Sequence, residues 1–542
     1  MTYTVRDATF EVLRELEIKK IFGNPGSTEE TFLENFPDDF SYIETLHEAS
    51  AVGAADGYSQ GTRQVSMVNV HTSAGLSNAM SNIMTASMNK TPIIITAGTQ
   101  TREMLLHEPW LTNIDAETVP KPFVKWSYEP KRAEDVPGAF MRAYAMAVQE
   151  PAGPVFLSIP LDDWDKPIEN LPQIRNIEPR VAPNPYKLNA FAEKLNNAKN
   201  PILIYGSDIA RSGGWEKGVQ LSEKTNIPVW AAPSSERAPF PENHELYIGG
   251  LPFAIKPLAE KLEGHDVALV IGAPVFRYYP YVPGDYLPEN LELLHITDDA
   301  HEAAKAPVGD TLVSNAALAI EALLPLVTHH EKNKEIIKLE HRMAPHETSK
   351  PDKEADNNLL HAYELFKQLH DSMPENTILV EETPSNLGDL HKAWPINQPD
   401  TFYTFASGSL GWNLPASLGL AFAEKEKGTN RPIVAIIGDG SIQYSIQALW
   451  TAAQHDLPIL FVVPKNNEYG ILKSFAVAQD TPNVPGLNIP GIDHVSLAKS
   501  YNCIGKKADT HEEVAEVIDQ FLKDQKPTVM EAAINPSVPP LF

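Results

Sequence analysis

Short apolar runs that stop abruptly at small or polar residues recur along the whole chain, and between them apolar residues return at helical spacing. In the first third these runs are VSMVNVH (65–71), PIIITAG (92–98) and GPVFLSIP (153–160). Ile21 and Phe22 enter the turn GNPGS in the same manner, after Val5, Ala8, Val12, Leu13 and Leu16 have marked out one helix face. A strand that is apolar on consecutive residues is covered on both faces, and alternation of such strands with helices predicts a parallel sheet between helical layers.

The pattern repeats twice more. PILIYGSD (201–208), IPVWAAP (227–233), DVALVIGAPV (266–275) and ELLHITDD (292–299) form a second set, and NTILVEET, TFYTFAS, PIVAIIGDG, PILFVVPKNN and PTVMEAAI a third. Between the first two sets lies NLPQIRNIEPRVAPNPYK (170–187), rich in Pro and Asn and without a sustained period, as in a linker. Before the third, residues 329–357 are strongly charged and offer little to bury, which suggests a second crossing between domains. With 542 residues, 42% of them apolar, the chain has material for about three cores. The expected fold is α/β, with three doubly wound parallel-sheet domains at 1–180, 181–340 and 341–542.

Charge and cysteine content narrow the partners. Lys and Arg number 44 against 71 Asp and Glu, a formal charge of −27 that opposes phosphate backbones and anionic lipid. Cys503 is the single cysteine, so no intrachain disulfide can form. The start MTYTVRDATFEVLRELE lacks the apolar run of a signal peptide, and no stretch approaches the ~18 apolar residues of a membrane span. The expectation is a soluble, cytoplasmic protein with no nucleic-acid or membrane partner.

The stretch AIIGDGSIQYS (435–445) drives an apolar run into Gly438-Asp439-Gly440. A dinucleotide fingerprint would need glycine where Gln443 stands, and neither a phosphate-binding Gly-x4-Gly-Lys-Ser/Thr loop nor a zinc-binding His-Glu-x-x-His occurs. What remains is an acid at the carboxyl edge of a strand, where open α/β sheets bind ligands. PILFVVPKNNEYG ends a second strand in Asn466, 27 residues after Asp439. Asp439, Asn466 and a main-chain carbonyl near Glu468 offer hard oxygens, and the phosphates of a ligand with water would complete the octahedron of Mg²⁺. Either motif alone reads equally well as a tight turn; the two together point to a magnesium diphosphate.

Gly-Asp-Gly-Ser followed by this Asn resembles the metal-diphosphate motif of thiamine diphosphate enzymes. FGNPGSTE (22–29), LHEASAVGAADGYSQ (46–60), LTNIDAETVPKPFVKWSYEP (111–130), VFLSIPLDDWDK (155–166), EGHDVALVIGAPVFRY (263–278) and NVPGLNIPGID (483–493) extend the resemblance along nearly the whole chain, to the benzoylformate branch of the 2-oxo-acid decarboxylase family. The resemblance implies pyrimidine-binding, central and diphosphate-binding domains in that order. It also implies a homo-oligomer, usually a tetramer, with thiamine diphosphate and Mg²⁺ at dimer interfaces. The implied reaction is non-oxidative decarboxylation of a 2-oxo acid to an aldehyde through a cofactor enamine, with carboligation to 2-hydroxy ketones as a side activity.

Residue roles follow from the same resemblance. Glu48 opens an apolar helix, where an acid is favoured by the helix dipole alone; in the family the matching Glu contacts the cofactor's aminopyrimidine ring. Ser27 can cap a helix through Ser27-x-x-Glu30, and the family uses the matching Ser to bind the substrate carboxylate. His71, at a strand end, matches a proton-transfer histidine. Leu410 matches the bulky residue that bends the bound cofactor, with Gly408 as carbonyl partner of its amino group. Pro25, Pro384, Ser385, Gly438, Gly440, Ser441, Tyr469, Gly470 and Ile471 complete the cofactor set.

Trp110, Leu111, Thr404, Ile471, Leu472, Phe475 and Leu487 fall at pocket positions, and all read equally well as core. The sequence departs from the branch where VFRYYPY puts Tyr279 in place of a second pocket histidine; a phenol, with a pKa of about 10, shuttles protons poorly near neutrality. Ile471 and Trp110 are larger than their counterparts and Thr404 smaller, while Pro384-Ser385 replaces a Thr-Ser pair. These changes leave room for a branched or aliphatic substrate. Two rivals stand beside the decarboxylase: an acetolactate-synthase-like enzyme with a flavin in the central domain, and a non-catalytic family member.

Overall fold

The computed structural model describes residues 3–175, 177–331, 359–539 and 541. Three six-stranded sheets, each wholly parallel, carry the fold. The first contains β1 (Lys20–Asn24), β2 (Ser41–Glu44), β3 (Ser66–Val70), β4 (Ile93–Thr99), β5 (Ser127–Tyr128) and β6 (Val155–Pro160), in the order β2-β1-β3-β4-β6-β5. The second contains β7 (Pro201–Tyr205), β8 (Val229–Ala231), β9 (Tyr247–Gly250), β10 (Val267–Ile271), β11 (Glu292–Thr297) and β12 (Asp310–Val313), in the order β9-β8-β7-β10-β11-β12. The third contains β13 (Ile378–Glu382), β14 (Phe402–Tyr403), β15 (Ile433–Ile437), β16 (Ile459–Lys465), β17 (Ile504–Lys507) and β18 (Thr528–Ala533), in the order β14-β13-β15-β16-β18-β17.

The first and third sheets therefore share one topology. In both, the winding reverses between the first and third strands of the sheet, and in open α/β sheets the crevice at that reversal is where ligands bind. Five strands carry no continuous apolar run and escape recognition in the sequence: β2, β5, β9, β12 and β17. β2, β9, β12 and β17 each leave at least one residue exposed, and β5 has only two residues. All five are sheet edges, paired on one side only, so the burial that dictates an apolar run is missing.

Residues 171–175 and 177–184, in the segment read as a linker, carry neither helix nor strand. The charged crossing expected at 329–357 lies, from 332 onward, outside the described residues. Among the described residues no helix is long and apolar enough to cross a membrane.

The first and third domains meet through helices α1 (Glu48–Thr62) and α3 (Asn413–Lys427); α2 (Thr72–Met88) lies between them in the chain. The α1–α3 crossing is backbone on backbone: a Cβ on Gly57 would lie 2.0 Å from the Ala416 carbonyl oxygen, and one on Gly419 would lie 1.9 Å from that of Ala54. Asp56, fully buried in this crossing, accepts hydrogen bonds from Gln60 Nε2 (2.9 Å), Asn89 Nδ2 (2.8 Å), Thr91 Oγ1 (2.6 Å) and Trp412 Nε1 (2.7 Å). Burial pushes its carboxyl above the ordinary range. The four donors supply the partners that a buried carboxylate requires.

The central sheet has the strand order of dinucleotide-binding folds, but its reversal point, between β7 and β10, is filled. Lys90, from the first domain, places Nζ 2.7 Å from Asp208 and 2.5 Å from Asp298. A Cβ on Gly206, just after β7, would sit 2.4 Å from that of Ala273, just after β10.

Candidate active site

The reversal point of the first sheet gathers Asn24 at the end of β1, the turn Pro25-Gly26-Ser27, and His71 at the end of β3. The helix after this turn is a single turn, Glu30–Leu33, preceded by Glu29 and lacking a side-chain cap. The capping-box reading of Ser27 is therefore wrong: the helix starts too late for Ser27 to stand at its N-cap, and Ser27 is exposed at the crevice instead.

Glu29 takes the central position. Its buried carboxylate accepts from Thr28 Oγ1 (2.8 Å) and the Gly98 N–H (2.8 Å) at one oxygen, and from the Gly26 N–H (2.9 Å) and His71 Nδ1 (2.9 Å) at the other. A carboxylate facing Nδ1 fixes the proton on that nitrogen and leaves Nε2 as the one to exchange a proton with a ligand. Glycine is required at position 26, because a Cβ there would fall 2.2 Å from His71 Nδ1.

Glu48 is the first residue of α1, whose preceding residue, His47, caps the helix by accepting the Ala49 N–H at Nδ1 (3.2 Å). The Glu48 side chain is 93% buried, with Oε1 accepting from Asn24 Nδ2 (3.0 Å) and Oε2 from Asn78 Nδ2 (3.1 Å). Both partners are neutral side-chain amides that donate to the carboxylate. Asn24, Glu29 and Asn78 were not singled out in the sequence. Asn24 and Glu29 stand within FGNPGSTE, whereas Asn78 lies on α2, where only the fold brings it to Glu48.

The third sheet builds a matching crevice. β13 ends in Glu382, whose buried carboxylate accepts the N–H groups of Gly411 (2.7 Å), Trp412 (3.0 Å) and Asn413 (2.8 Å). Burial, opposed by these bonds, pushes its carboxyl up to about 8. The anchor holds the turn that carries half-buried Leu410, between Gly408 and Gly411 at φ +71° and +101°. Past Glu382, Pro384 opens a short turn in which Ser385 Oγ accepts the Ile471 N–H (2.9 Å). Ser385 thereby meets the start of α4 (Gly470–Ala478).

At the end of β15, Asp439 is nearly buried; its oxygens accept the Gly440 N–H (2.9 Å) and the Asn467 N–H (2.6 Å). Burial pushes its carboxyl up. Nearby, Asn466 Oδ1 accepts the Glu468 N–H (3.0 Å). The Glu468 carboxylate pairs with Lys473, so a ligand at this position would meet its main chain. Tyr469 covers the turn so closely that a Cβ on Gly440 would sit 2.4 Å from its ring, and one on Gly438 would lie 3.2 Å from Ser441 Oγ. Among the described residues there is no cluster of three or more His, Cys, Asp or Glu suited to a metal. A cation here would rest on one carboxylate, one amide, main-chain oxygen and its own anionic ligand. That donor set fits a hard divalent ion carrying a diphosphate, and the ion would offset the burial that raises Asp439.

The expected pocket wall divides in two. Ile471, Leu472 and Phe475 lie on α4; Tyr279 meets Phe475 edge-on with ring centroids 5.0 Å apart, and the Leu487 carbonyl accepts the Tyr469 N–H (2.9 Å). Trp110 and Leu111 belong to the first domain and are 93% and 46% exposed. Thr404 spends its hydroxyl on Glu381, at the carbonyl (2.9 Å) and Oε2 (2.8 Å). Among the described residues no hydrogen bond or ion pair links Ser27, Glu48 or His71 to Asp439 or Asn466.

These two crevices coincide with domains found in known proteins. The N-terminal TPP-binding domain of thiamine pyrophosphate enzymes matches residues 3–118, their central domain 188–323 and their C-terminal TPP-binding domain 385–532. The chain belongs to the thiamine pyrophosphate enzyme family. Within that family it is 39% identical to benzoylformate decarboxylase of Pseudomonas aeruginosa over 533 residues, covering 97% of this chain and 98% of the relative. The crystal structure of benzoylformate decarboxylase from Polynucleobacter necessarius superimposes with a TM-score of 0.95 at 50% identity, over 99% of this chain and 100% of that one. A thiamine diphosphate-dependent 4-hydroxybenzoylformate decarboxylase of Rhodococcus jostii gives 0.92 at 36% identity, over 99% and 100%. The chain stands among the 2-oxo-acid decarboxylases, and acetolactate synthase large subunits are more distant relatives.

Proposed function

We propose that the protein decarboxylates an aryl 2-oxo acid of the benzoylformate type to an aldehyde and CO2, using thiamine diphosphate and Mg²⁺. The observation that carries this reading is the buried Glu48 carboxylate, held by two neutral amides at the same sheet edge as the Glu29–His71 pair. Thiamine diphosphate, when bound, would supply the electron sink for the bonding pair that the departing CO2 leaves on the keto carbon. Glu48 would share a proton with the aminopyrimidine ring, and its burial strengthens that bond. Leu410 and Gly408, on the turn anchored by Glu382, would set the bend of the cofactor. Asp439, Asn466 and the main chain at Glu468 would hold Mg²⁺ and through it the diphosphate.

Ser27, exposed beside His71, would receive the substrate carboxylate. His71 would deliver and recover the product proton through Nε2, and Glu29 prevents the ring from turning. Tyr279 and Phe475 would edge the substrate end, and capture of a second aldehyde there would yield a 2-hydroxy ketone. The filled reversal point of the central sheet weighs against a flavin-dependent activity, because Lys90 occupies the place a dinucleotide would need.

A single copy leaves large apolar side chains in water on both domains, Leu106 and Trp110 on the first and Leu472 and Val477 on α4 of the third, with exposures of 87%, 93%, 45% and 75%. Surfaces of this kind mark association. We read them as the contacts of a homo-oligomer, a tetramer built from dimers, in which the first domain of one copy meets the third domain of another.

The function is tested by CO2 and aldehyde release, with thiamine diphosphate and Mg²⁺ supplied, from benzoylformate, phenylpyruvate, a branched 2-oxo acid and pyruvate. Benzoylformate is expected to exceed pyruvate in kcat/KM by about 10²-fold or more, since an aryl group buries far more apolar surface than a methyl. Preference for the branched acid would instead assign Ile471 and Tyr279 to a different specificity, and no release from any acid would contradict the proposal.

A further inference from the structure

Behind the Gly438-Asp439-Gly440 turn lies a polar chain that no step above uses. His494, the first residue of α5 (His494–Ser500), is 99% buried. Its Nδ1 donates to Glu531 Oε2 (2.7 Å), and its main-chain N–H donates to the same oxygen (3.0 Å). Its Nε2 donates to the main-chain carbonyl of Asp439 (3.1 Å). Glu531, on β18, places its other oxygen 3.2 Å from Lys465 Nζ, and Lys465 also donates to the Ile492 carbonyl (2.5 Å). Lys465 is the last residue of β16 and immediately precedes Asn466.

The chain thus closes from the residue beside one candidate metal ligand to the main chain of the other. Both ring nitrogens of His494 face groups that can only accept, the Glu531 carboxylate and the Asp439 carbonyl. Burial alone would raise the Glu531 carboxyl, but the bonds from His494 and Lys465 outweigh it and hold it below its ordinary range. Without the His494 donor, the Asp439 carbonyl loses the bond that fixes the plane of the Asp439–Gly440 peptide. An aromatic hydrocarbon would fill the same space without supplying it.

We propose that His494, held by Glu531 and Lys465, is a positioning residue that fixes the turn carrying Asp439 relative to Asn466 and so sets the affinity for the divalent cation and its diphosphate. The proposal rests on reading these two residues as the magnesium–diphosphate site. A group that orients a ligand without touching the metal typically contributes 10- to 100-fold in affinity.

The test measures thiamine diphosphate binding by intrinsic fluorescence as a function of Mg²⁺ in the full-length wild type, His494→Phe and Lys465→Met, together with the thermal midpoint of each apoprotein. The wild type is expected to bind thiamine diphosphate only with Mg²⁺. His494→Phe should raise half-saturating Mg²⁺ by about 10-fold or more, and Lys465→Met should raise it in the same direction. Half-saturation within about two-fold of wild type in both variants overturns the proposal, as does a loss of apoprotein stability without a change in Mg²⁺ dependence. Should His494→Phe fail to fold, Lys465→Met decides alone by the same criterion. Wild-type binding that is indifferent to Mg²⁺ instead removes the metal site itself.

Discussion

Glu48→Gln is expected to lower kcat/KM by about 10³-fold or more, a loss of roughly 4 kcal/mol in transition-state stabilisation, while leaving the fold intact. The substitution changes one atom. A Gln at this position can still accept from Asn24 or Asn78 and fills the same space against Gly75, so stability should change little. It cannot take or return a proton, and in the proposed site that is what Glu48 contributes. Thiamine diphosphate should still bind, because in the proposed site the third domain holds its diphosphate end. Steady-state kinetics combined with a cofactor-binding titration checks this: near-normal turnover would remove the mechanism, and loss of cofactor binding would recast Glu48 as an anchor.

His71→Ala should lower kcat by about 10²- to 10³-fold with a smaller effect on KM, the size usual for loss of a positioned proton donor. Glu29→Gln should reproduce part of that loss. Glu29 touches neither substrate nor cofactor in the proposed arrangement; its oxygens hold His71 Nδ1 and the N–H groups of Gly26 and Gly98. Replacing one oxygen by an amide puts an N–H donor where only acceptors were, which frees the ring to turn or to take the other tautomer. A fall in kcat at nearly constant KM distinguishes this positioning role from a general loosening of the pocket, which would raise KM as well. An unchanged kcat in Glu29→Gln would show that His71 needs no partner to hold it.

What could be read in the sequence was decided by burial. VALVI and IVAII are apolar without interruption, and VSMVNV is broken only by buried Ser66 and Asn69, because strands on both sides and helices on both faces enclose them. The edge strand IGKK carries two lysines because water reaches it, and it passes for a loop. At the site, Gly438-Asp439-Gly440 and Asn466 stood out because a buried strand ends immediately before each of them. Glu29 and Glu382 did not, for the opposite reason: each is a buried acid held in part by main-chain N–H groups distant in the chain, at Gly98 in β4 and at Gly411 to Asn413. Such partnerships leave no periodic mark. Ser27 shows the converse error, since Ser-x-x-Glu spells a helix start that the chain delays to Glu30. The repeated strand order of the first and third domains, which places two crevices at equivalent points, is likewise a property of topology that neither composition nor spacing displays.

The measurement that tests the account most directly is complementation between two inactive variants. In the proposed site, Glu48→Gln would disable the half contributed by the first domain and Asp439→Ala that contributed by the third. If each active site joins the first domain of one copy to the third domain of another, subunits mixed by reversible dissociation form mixed dimers with one intact site of two. Random pairing makes half of the dimers mixed, so roughly a quarter of wild-type CO2 release from benzoylformate should return. Activity that stays at the level of the separate variants, with mixed dimers demonstrated, would contradict a site built from two copies and with it the proposed roles of these two carboxylates.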